Sequence, residues 1–263
     1  MHFFPDSKTF VEVAGLSIQW YALTMMSGGV AAFLLGRKKF IKLGVTSDEI
    51  SDYFMMTFLC GIIGARIWYV VFMFEQYQDN LFDIFKIQNG GLAIQGGIVA
   101  GFIYSYYFFK KRNIPILQAG DIIMPLILLS QAIGRWGNFI NQEAHGGIVE
   151  RATLEAMMIP NFIIEGMNIG GTYYHPTFLY ESVLNLLGFI LIYIILKKFN
   201  LKQGVLFFSY FIWYGITRFI VEGMRTDSLY FMGLRTAQLT SIAFVIGGII
   251  GIIYLYTKKN KKA

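Results

Sequence analysis

Arginine, asparagine, glutamate and histidine crowd into one short stretch of this chain: GRWGNFINQEAHGG holds Arg135, Asn138, Asn141, Glu143 and His145 between glycines. A guanidinium is a planar fork that grips phosphate or carboxylate oxygens in pairs, and the glycines flanking Arg135 permit close approach of backbone and ligand. Asn138, Asn141 and Glu143 add hydrogen-bonding groups beside it. A second stretch, YGITRFIVEGMRTD, spaces Arg218, Glu222 and Arg225 at i, i+4 and i+7, so that on a helix all three project from one face. A carboxylate between two guanidiniums locks their orientation and leaves part of each fork for an anion. The chemistry predicted from these residues is recognition of a phosphate. The competing reading is structural, with the same arginines pairing with Glu143, Glu222 and Asp227 or with lipid headgroups.

The elements that carry these residues are expected to be membrane helices. The 263 residues are 56% hydrophobic and 14% charged, against about 25% charged in soluble domains, and mean hydropathy is +0.54. A spanning helix needs about 20 mostly apolar residues. Seven segments meet that need, roughly 17–37, 51–74, 92–109, 116–134, 177–196, 203–221 and 236–256. The fold class is therefore an all-α polytopic membrane protein with seven transmembrane helices, forming a single domain over 1–263. The N-terminus lacks the basic region, short apolar core and small-residue cleavage site of a signal peptide, so the first span is expected to stay in the mature protein. The single cysteine, Cys60, lies inside the second span. It excludes an internal disulfide and argues against thiol catalysis or a cysteine metal site.

A net charge of +6 invites a nucleic-acid reading, but the positions of the charges reject it. Arg37, Lys38, Lys39 and Lys42 follow the first span, Lys110, Lys111 and Arg112 the third, Lys197, Lys198 and Lys202 the fifth, and Lys258, Lys259, Lys261 and Lys262 form the tail. All fourteen fall on one side of a seven-span topology. The positive-inside rule makes that side cytoplasmic, with the N-terminus outside and the C-terminus cytoplasmic. The other side holds only Lys8, Lys86, Arg135, Arg151, Arg218, Arg225 and Arg235, five of the seven being arginines. The phosphate-recognising residues are thus expected at the outer face of the membrane.

No linker, low-complexity tract or clear internal repeat interrupts the chain. The missing repeat counts against a secondary transporter, since many of those are built from two related halves. The longest outer loop, about 136–176 between spans four and five, predicts a small extracytoplasmic head. Its NFIIEGMNIGGTYYHP stretch, with a glycine pair and asparagines among β-branched and aromatic residues, suits a hairpin. Tyr21, at the outer end of span one, is expected level with the arginines.

GRWGNFINQEAHG resembles the signature of the prolipoprotein diacylglyceryl transferases. GGLAIQGG at 90–97, HPTFLYES at 175–182, GARIWYV at 64–70 and RFIVEGMR at 218–225 support the resemblance, which covers nearly the whole chain. It implies an enzyme of the bacterial cytoplasmic (inner) membrane, with its active site toward the outer leaflet. Such an enzyme moves the diacylglyceryl group of phosphatidylglycerol to the lipobox cysteine thiol of a preprolipoprotein, releasing glycerol 1-phosphate. The resemblance also implies that Arg135, Asn138, Glu143 and Gly146 occupy signature positions, and that Tyr21, Tyr214, Arg218, Glu222 and Arg225 match other positions tied to binding or catalysis.

Displacing a phosphate from a glycerol carbon moves negative charge onto the leaving oxygen, which fixed guanidiniums stabilise in the transition state. Arg135 and Arg218 are the candidates for that role, with Arg225 and Glu222 holding the other side of the headgroup. No metal or other cofactor is expected, because His2, His145 and His175 have no ligand spacing. The chain departs from the family at Gln95, where relatives usually carry a histidine regarded as a candidate general base. Either the base lies elsewhere, or the thiol, with an ordinary pKa of about 8.5, is ionised by the arginine field. His145 is the nearest histidine in a matching motif, and a solvent-facing loop residue is its plainer reading. His175 reads as a turn histidine that fixes the loop. Arg66 and Glu181, ionisable groups inside spans, are expected to pair, while Asp121 lies near the inner end of span four, away from the site. A transporter or flippase for an anionic phospholipid would use the same arginines as a binding site, and a noncatalytic scaffold would have no use for the dense polar signature.

Overall fold

The computed structural model describes residues 9–13 and 16–258; His2, Lys8, Lys259, Lys261 and Lys262 lie outside the described residues. In chain order the elements are β1 (Thr9–Val13), β2 (Leu16–Gln19), α1 (Trp20–Ile41), α2 (Ser47–Phe72), three short 3-10 turns, α3 (Ile94–Lys111) and α4 (Ile116–Asn141). There follow α5 (Arg151–Ala156), α6 (Asn161–Gly166), β3 (Asn168–Ile169), β4 (Thr172–Tyr173) and α7 (Thr177–Phe189), the last continued by a π-helical turn over Ile190–Ile195. The chain ends with α8 (Val205–Met224), β5 (Tyr230–Phe231), β6 (Leu234–Arg235) and α9 (Thr236–Thr257). Long helices occupy each expected span. Among the described residues five are long and apolar enough to cross a membrane: 47–72, 116–141, 177–195, 205–224 and 236–257. The first and third, α1 and α3, are diluted by polar, small and tyrosine residues such as Thr24, Ser27, Gln95, Ser105 and Tyr106.

The chain divides into two compact units, 35–119 and the combination of 1–34 with 120–263. In the first, α2 starts on a capping box: Glu49 donates its backbone N–H to Thr46 Oγ1 at 3.3 Å, and its carboxylate accepts the Thr46 N–H at 2.9 Å. Gly64 and Gly96 put the α2 and α3 backbones in direct contact, leaving no room for a Cβ on either, the small-residue mode of packing in membranes. Arg66 donates to the carbonyls of Asp83, Ile84, Gly90 and Gly91 at 2.7 to 2.9 Å. It therefore ties the loop leading into α3, and the expected Arg66–Glu181 pair does not form. The reason is local supply: four backbone carbonyls of that loop satisfy the buried guanidinium within its own unit.

In the second unit the N-terminal end of α8 hangs on α4. The Asp121 carboxylate accepts the backbone N–H groups of Gly204 at 2.6 Å and Phe207 at 2.8 Å, satisfying orphan donors at the start of α8. Fourteen residues separate Asp121 from Arg135, and fourteen separate Gly204 from Arg218. At 1.5 Å per residue both arginines therefore stand about 21 Å along their helices from a shared anchor. This common origin brings them to one level. Ser182 Oγ donates to the Ala132 carbonyl at 2.8 Å and Trp213 Nε1 to that of Leu184 at 2.9 Å, stitching α7 to α4 and to α8.

Helix α4 runs to Asn141, two turns past the expected end of the fourth span, so GRWGN is helical and not an exit loop. Tertiary burial overrides the polar sequence here. Phe139 joins Leu154, Ile159, Ile163, Ile164, Met167 and Phe178 in the core of the segment between α4 and α7, with Trp136 packed against it. Within NFIIEGMNIGGTYYHP the first six residues are helical, and the hairpin is confined to β3 and β4. Its turn glycines, Gly170 and Gly171, take φ of 60° and 86°, the left-handed values that a two-residue hairpin turn of this kind requires. The β1–β2 and β5–β6 hairpins are additions to the all-α expectation.

Candidate functional site

The fourteen-residue match of α4 and α8 places Arg135 and Arg218 on either side of one carboxylate. Glu181, in the second turn of α7 and 5% exposed, forms an ion pair with Arg135 Nε through Oε2 and accepts a hydrogen bond from Arg218 Nη1 through Oε1. Arg218 Nη2 also lies 2.7 Å from Glu222 Oε2, one turn further along α8. That contact is an ion pair whose N–H does not point at the oxygen, since the oxygen has no hydrogen-bond partner. Arg135 Nη1 makes a long, 3.4 Å bond to Asn138 Oδ1, and Asn138 Nδ2 donates to Glu143 Oε1 at 3.1 Å. The result is a continuous chain, Glu143–Asn138–Arg135–Glu181–Arg218–Glu222. Arg135 Nη2 and Arg218 Nε carry no hydrogen bond among the described residues, so each fork keeps a donor for a ligand.

Arg225 departs from the one-face expectation. It is the residue after α8, with an extended backbone (φ −75°, ψ 147°), so its side chain leaves the helical stripe. Its Nε and Nη2 grip Asp227 at 2.9 and 2.7 Å, and Glu222 is left to Arg218. The guanidinium holds the Asp227 carboxyl below its ordinary pKa, by hydrogen bonding first and charge second. The Arg225 backbone forms a β-bridge with Gly146. A Cβ on Gly146 would stand 2.7 Å from His175 Cβ and 3.1 Å from the Met224 carbonyl, and Gly146 donates to the His175 carbonyl at 2.9 Å. Glycine is required there by the crossing of three chain segments. Thr177 Oγ1 donates to the Ala144 carbonyl at 2.6 Å, closing the same crossing.

Tyr21, in the first turn of α1, lies against Gly137, where a Cβ would be 2.7 Å from its ring. Tyr214 sits one turn before Arg218, its ring stacked on Tyr210 at 5.7 Å. Gln95 belongs to the 35–119 unit, exposed in the first turn of α3. His145 packs on Tyr174 with ring centroids 4.1 Å apart, and His175 Nδ1 shares a 3.1 Å hydrogen bond with the Tyr180 hydroxyl.

Glu181 is the residue that sequence reasoning assigned to the wrong partner. The signal was present, in that a carboxylate near the outer end of a span needs cations at its own depth, and Arg135 and Arg218 were already placed there. Arg235, counted among the outer arginines but given no role, donates through Nη1 to the Glu222 carbonyl and through Nε to the Tyr230 hydroxyl at 3.3 Å. Arg135, Arg218 and Arg225 each meet a carboxylate, so the arginine cluster is electrostatically balanced and not a bare positive field.

Apolar helices carrying two guanidiniums bridged by one buried carboxylate define a multi-pass membrane protein with polar, charged side chains grouped near the ends of its helices. The family profile for prolipoprotein diacylglyceryl transferase matches residues 8–254. Similar curated proteins include the phosphatidylglycerol–prolipoprotein diacylglyceryl transferases of Halalkalibacterium halodurans, 44% identical over 94% of this chain and 85% of that protein, and of Lysinibacillus sphaericus, 47% identical over 91% and 88%. The protein of the same description from Staphylococcus aureus strain Newman is 46% identical over 93% of this chain and 88% of its own length. This chain belongs to the prolipoprotein diacylglyceryl transferase family.

Proposed function

We propose that this protein transfers the sn-1,2-diacylglyceryl group of phosphatidylglycerol to the lipobox cysteine of preprolipoproteins. The sulfur of the cysteine thiolate attacks the glycerol carbon that bears the phosphate. A C–S thioether bond forms, the C–O bond breaks, and its electron pair leaves on the phosphate oxygen as glycerol 1-phosphate. The observation that carries this reading is the Arg135–Glu181–Arg218 bridge. Two guanidiniums are held at one level with a donor each to spare, where charge develops on the leaving oxygen in a site shielded by apolar helices. Asn138 and Glu143 orient Arg135, Glu222 orients Arg218, and Gly146 brings the Arg225–Asp227 pair alongside. Tyr21 and Tyr214 line the approach. Gln95 positions substrate by hydrogen bonding, and the thiol, with an ordinary pKa of about 8.5, gives up its proton to water before the attack.

The protein acts as a single domain of seven transmembrane helices in the cytoplasmic membrane, N-terminus outside and C-terminus inside. The segment between α4 and α7 forms an extracytoplasmic head, and the arginines face the outer leaflet, where exported lipoproteins arrive. The balance of fourteen basic residues on one side against seven on the other supports that orientation. Purified protein incubated with phosphatidylglycerol and a lipobox peptide should release glycerol phosphate and yield a heavier, thioether-linked peptide. Movement of labelled phosphatidylglycerol between leaflets without either product would instead support transport and defeat the proposal.

A further inference from the structure

Below the arginines, the interior of the helical bundle holds a polar pair with more donors than partners. Gln131 lies one turn before Arg135 on α4, and Tyr210 two turns before Arg218 on α8. Gln131 Nε2 donates to the Tyr210 hydroxyl at 3.3 Å, while Gln131 Oε1 is buried with no partner. Tyr210 is 8% exposed. The orientation of an amide is set by its hydrogen bonds, so both orientations must be considered. The amide supplies two N–H donors and the phenol one O–H. One internal bond uses one of these three, whichever way the amide is turned, and leaves two donors without an acceptor among the described residues. A buried polar group without a partner is costly, and in an apolar bundle no bulk water offsets it.

We infer that Gln131 and Tyr210 bind the ester carbonyls of the lipid substrate, one or two helical turns below the guanidiniums that take its phosphate. The chemistry matches in number and in kind. A diacylglyceryl group brings two ester carbonyls, both acceptors, only a few bonds from the phosphorus, and the pair offers two unused donors. The depth matches too: one turn of helix is about 5.4 Å, and the lipid's acyl chains continue from the esters into the apolar interior. Tyr214, stacked on Tyr210 between the two levels, lines the path from phosphate to ester. Recognition here would select a diacyl lipid and fix the depth of the glycerol carbon under attack.

This inference rests on the assignment of Arg135 and Arg218 to the phosphate, and its test separates the two. Initial rates are measured for wild type, Gln131→Leu and Tyr210→Phe with phosphatidylglycerol and with its dialkyl-ether analogue, which keeps the phosphate and lacks both carbonyls. The wild type is expected to favour the diester in kcat/KM by roughly tenfold, the worth of one or two neutral hydrogen bonds. Each variant should lose part of that factor on the diester and almost nothing on the ether, so that the preference narrows toward one. Equal loss on both lipids, as a purely structural or water-bound pair would give, overturns the inference, as does a wild type indifferent to the carbonyls. Tyr210→Phe removes a single oxygen, so it decides the matter if Gln131→Leu fails to fold. A wild type inactive on the diester defeats the transferase reading itself and this inference with it.

Discussion

Glu181→Gln isolates the central bridge. The substitution preserves volume and shape but removes the charge, and it replaces one carboxylate oxygen with an NH2 group. An amide nitrogen facing a guanidinium sets donor against donor, so one of Arg135 and Arg218 loses its acceptor outright. Breaking a buried ion pair costs about 3–5 kcal/mol. The side chains of Arg135 and Arg218 keep 22% and 16% exposure, which admits some solvent compensation and points to the lower end, about 3 kcal/mol. If that energy holds the forks in the geometry the transition state needs, kcat/KM should fall by roughly 10²-fold, at about 1.4 kcal/mol per factor of ten. The charges remain, so phosphate still binds, and the loss should appear in kcat with KM unchanged or lower. Glu181 acts as a positioning residue, and Arg135→Lys should therefore cost less in the Glu181→Gln background than in wild type. Steady-state rates across phosphatidylglycerol concentrations, with thermal melting in detergent as a control, provide the measurement. A Glu181→Gln enzyme with normal kcat and raised KM would refute the argument.

Arg135→Lys and Arg218→Lys should each lose most activity in the transfer assay, because an ammonium cannot replace a two-pronged fork shared between a carboxylate and a ligand. Gln95→Ala should cost far less than Arg135→Ala, whereas a gain of about 10²-fold for Gln95→His in rate measurements between roughly pH 6 and 9 would show that a general base is missing at that position. Gly146→Ala must push apart the contacts at His175 and Met224, and should lower stability by about 1–3 kcal/mol, read as a melting shift with a parallel loss of turnover. Asp227 has a depressed folded-state pKa, so its pairing with Arg225 contributes above the unfolded carboxyl pKa and fades only as pH falls through the lower folded value. Asp227→Asn should therefore melt earlier than wild type at neutral pH, with the gap closing in strong acid. Labels at Lys38 and Lys110 should react only from the cytoplasm and one at Asn161 only from outside, and an inside Asn161 would put the site in the wrong compartment.

The positions of the long helices were legible within a few residues, because a run of apolar side chains is a property of one segment and needs no knowledge of its neighbours. The pairing of Arg218 with Glu222 was legible for the same reason, both lying on one face of a single helix, and the observed contact is 2.7 Å. The residue types that recognise phosphate stood out because arginine, asparagine and glutamate are costly at the ends of apolar helices. What the sequence did not reveal involves pairs of segments. The partner of Glu181 depends on the register of three helices, set at a distance by Asp121 on the start of α8. Arg225 left the helical stripe because its backbone pairs with Gly146 across the chain crossing. Helix α4 outran its apolar stretch because Phe139 is buried by a segment later in the chain. Local composition determines which elements form and what chemistry they carry. Which side chains meet is decided by burial and register between elements, and these exist only once the chain has packed.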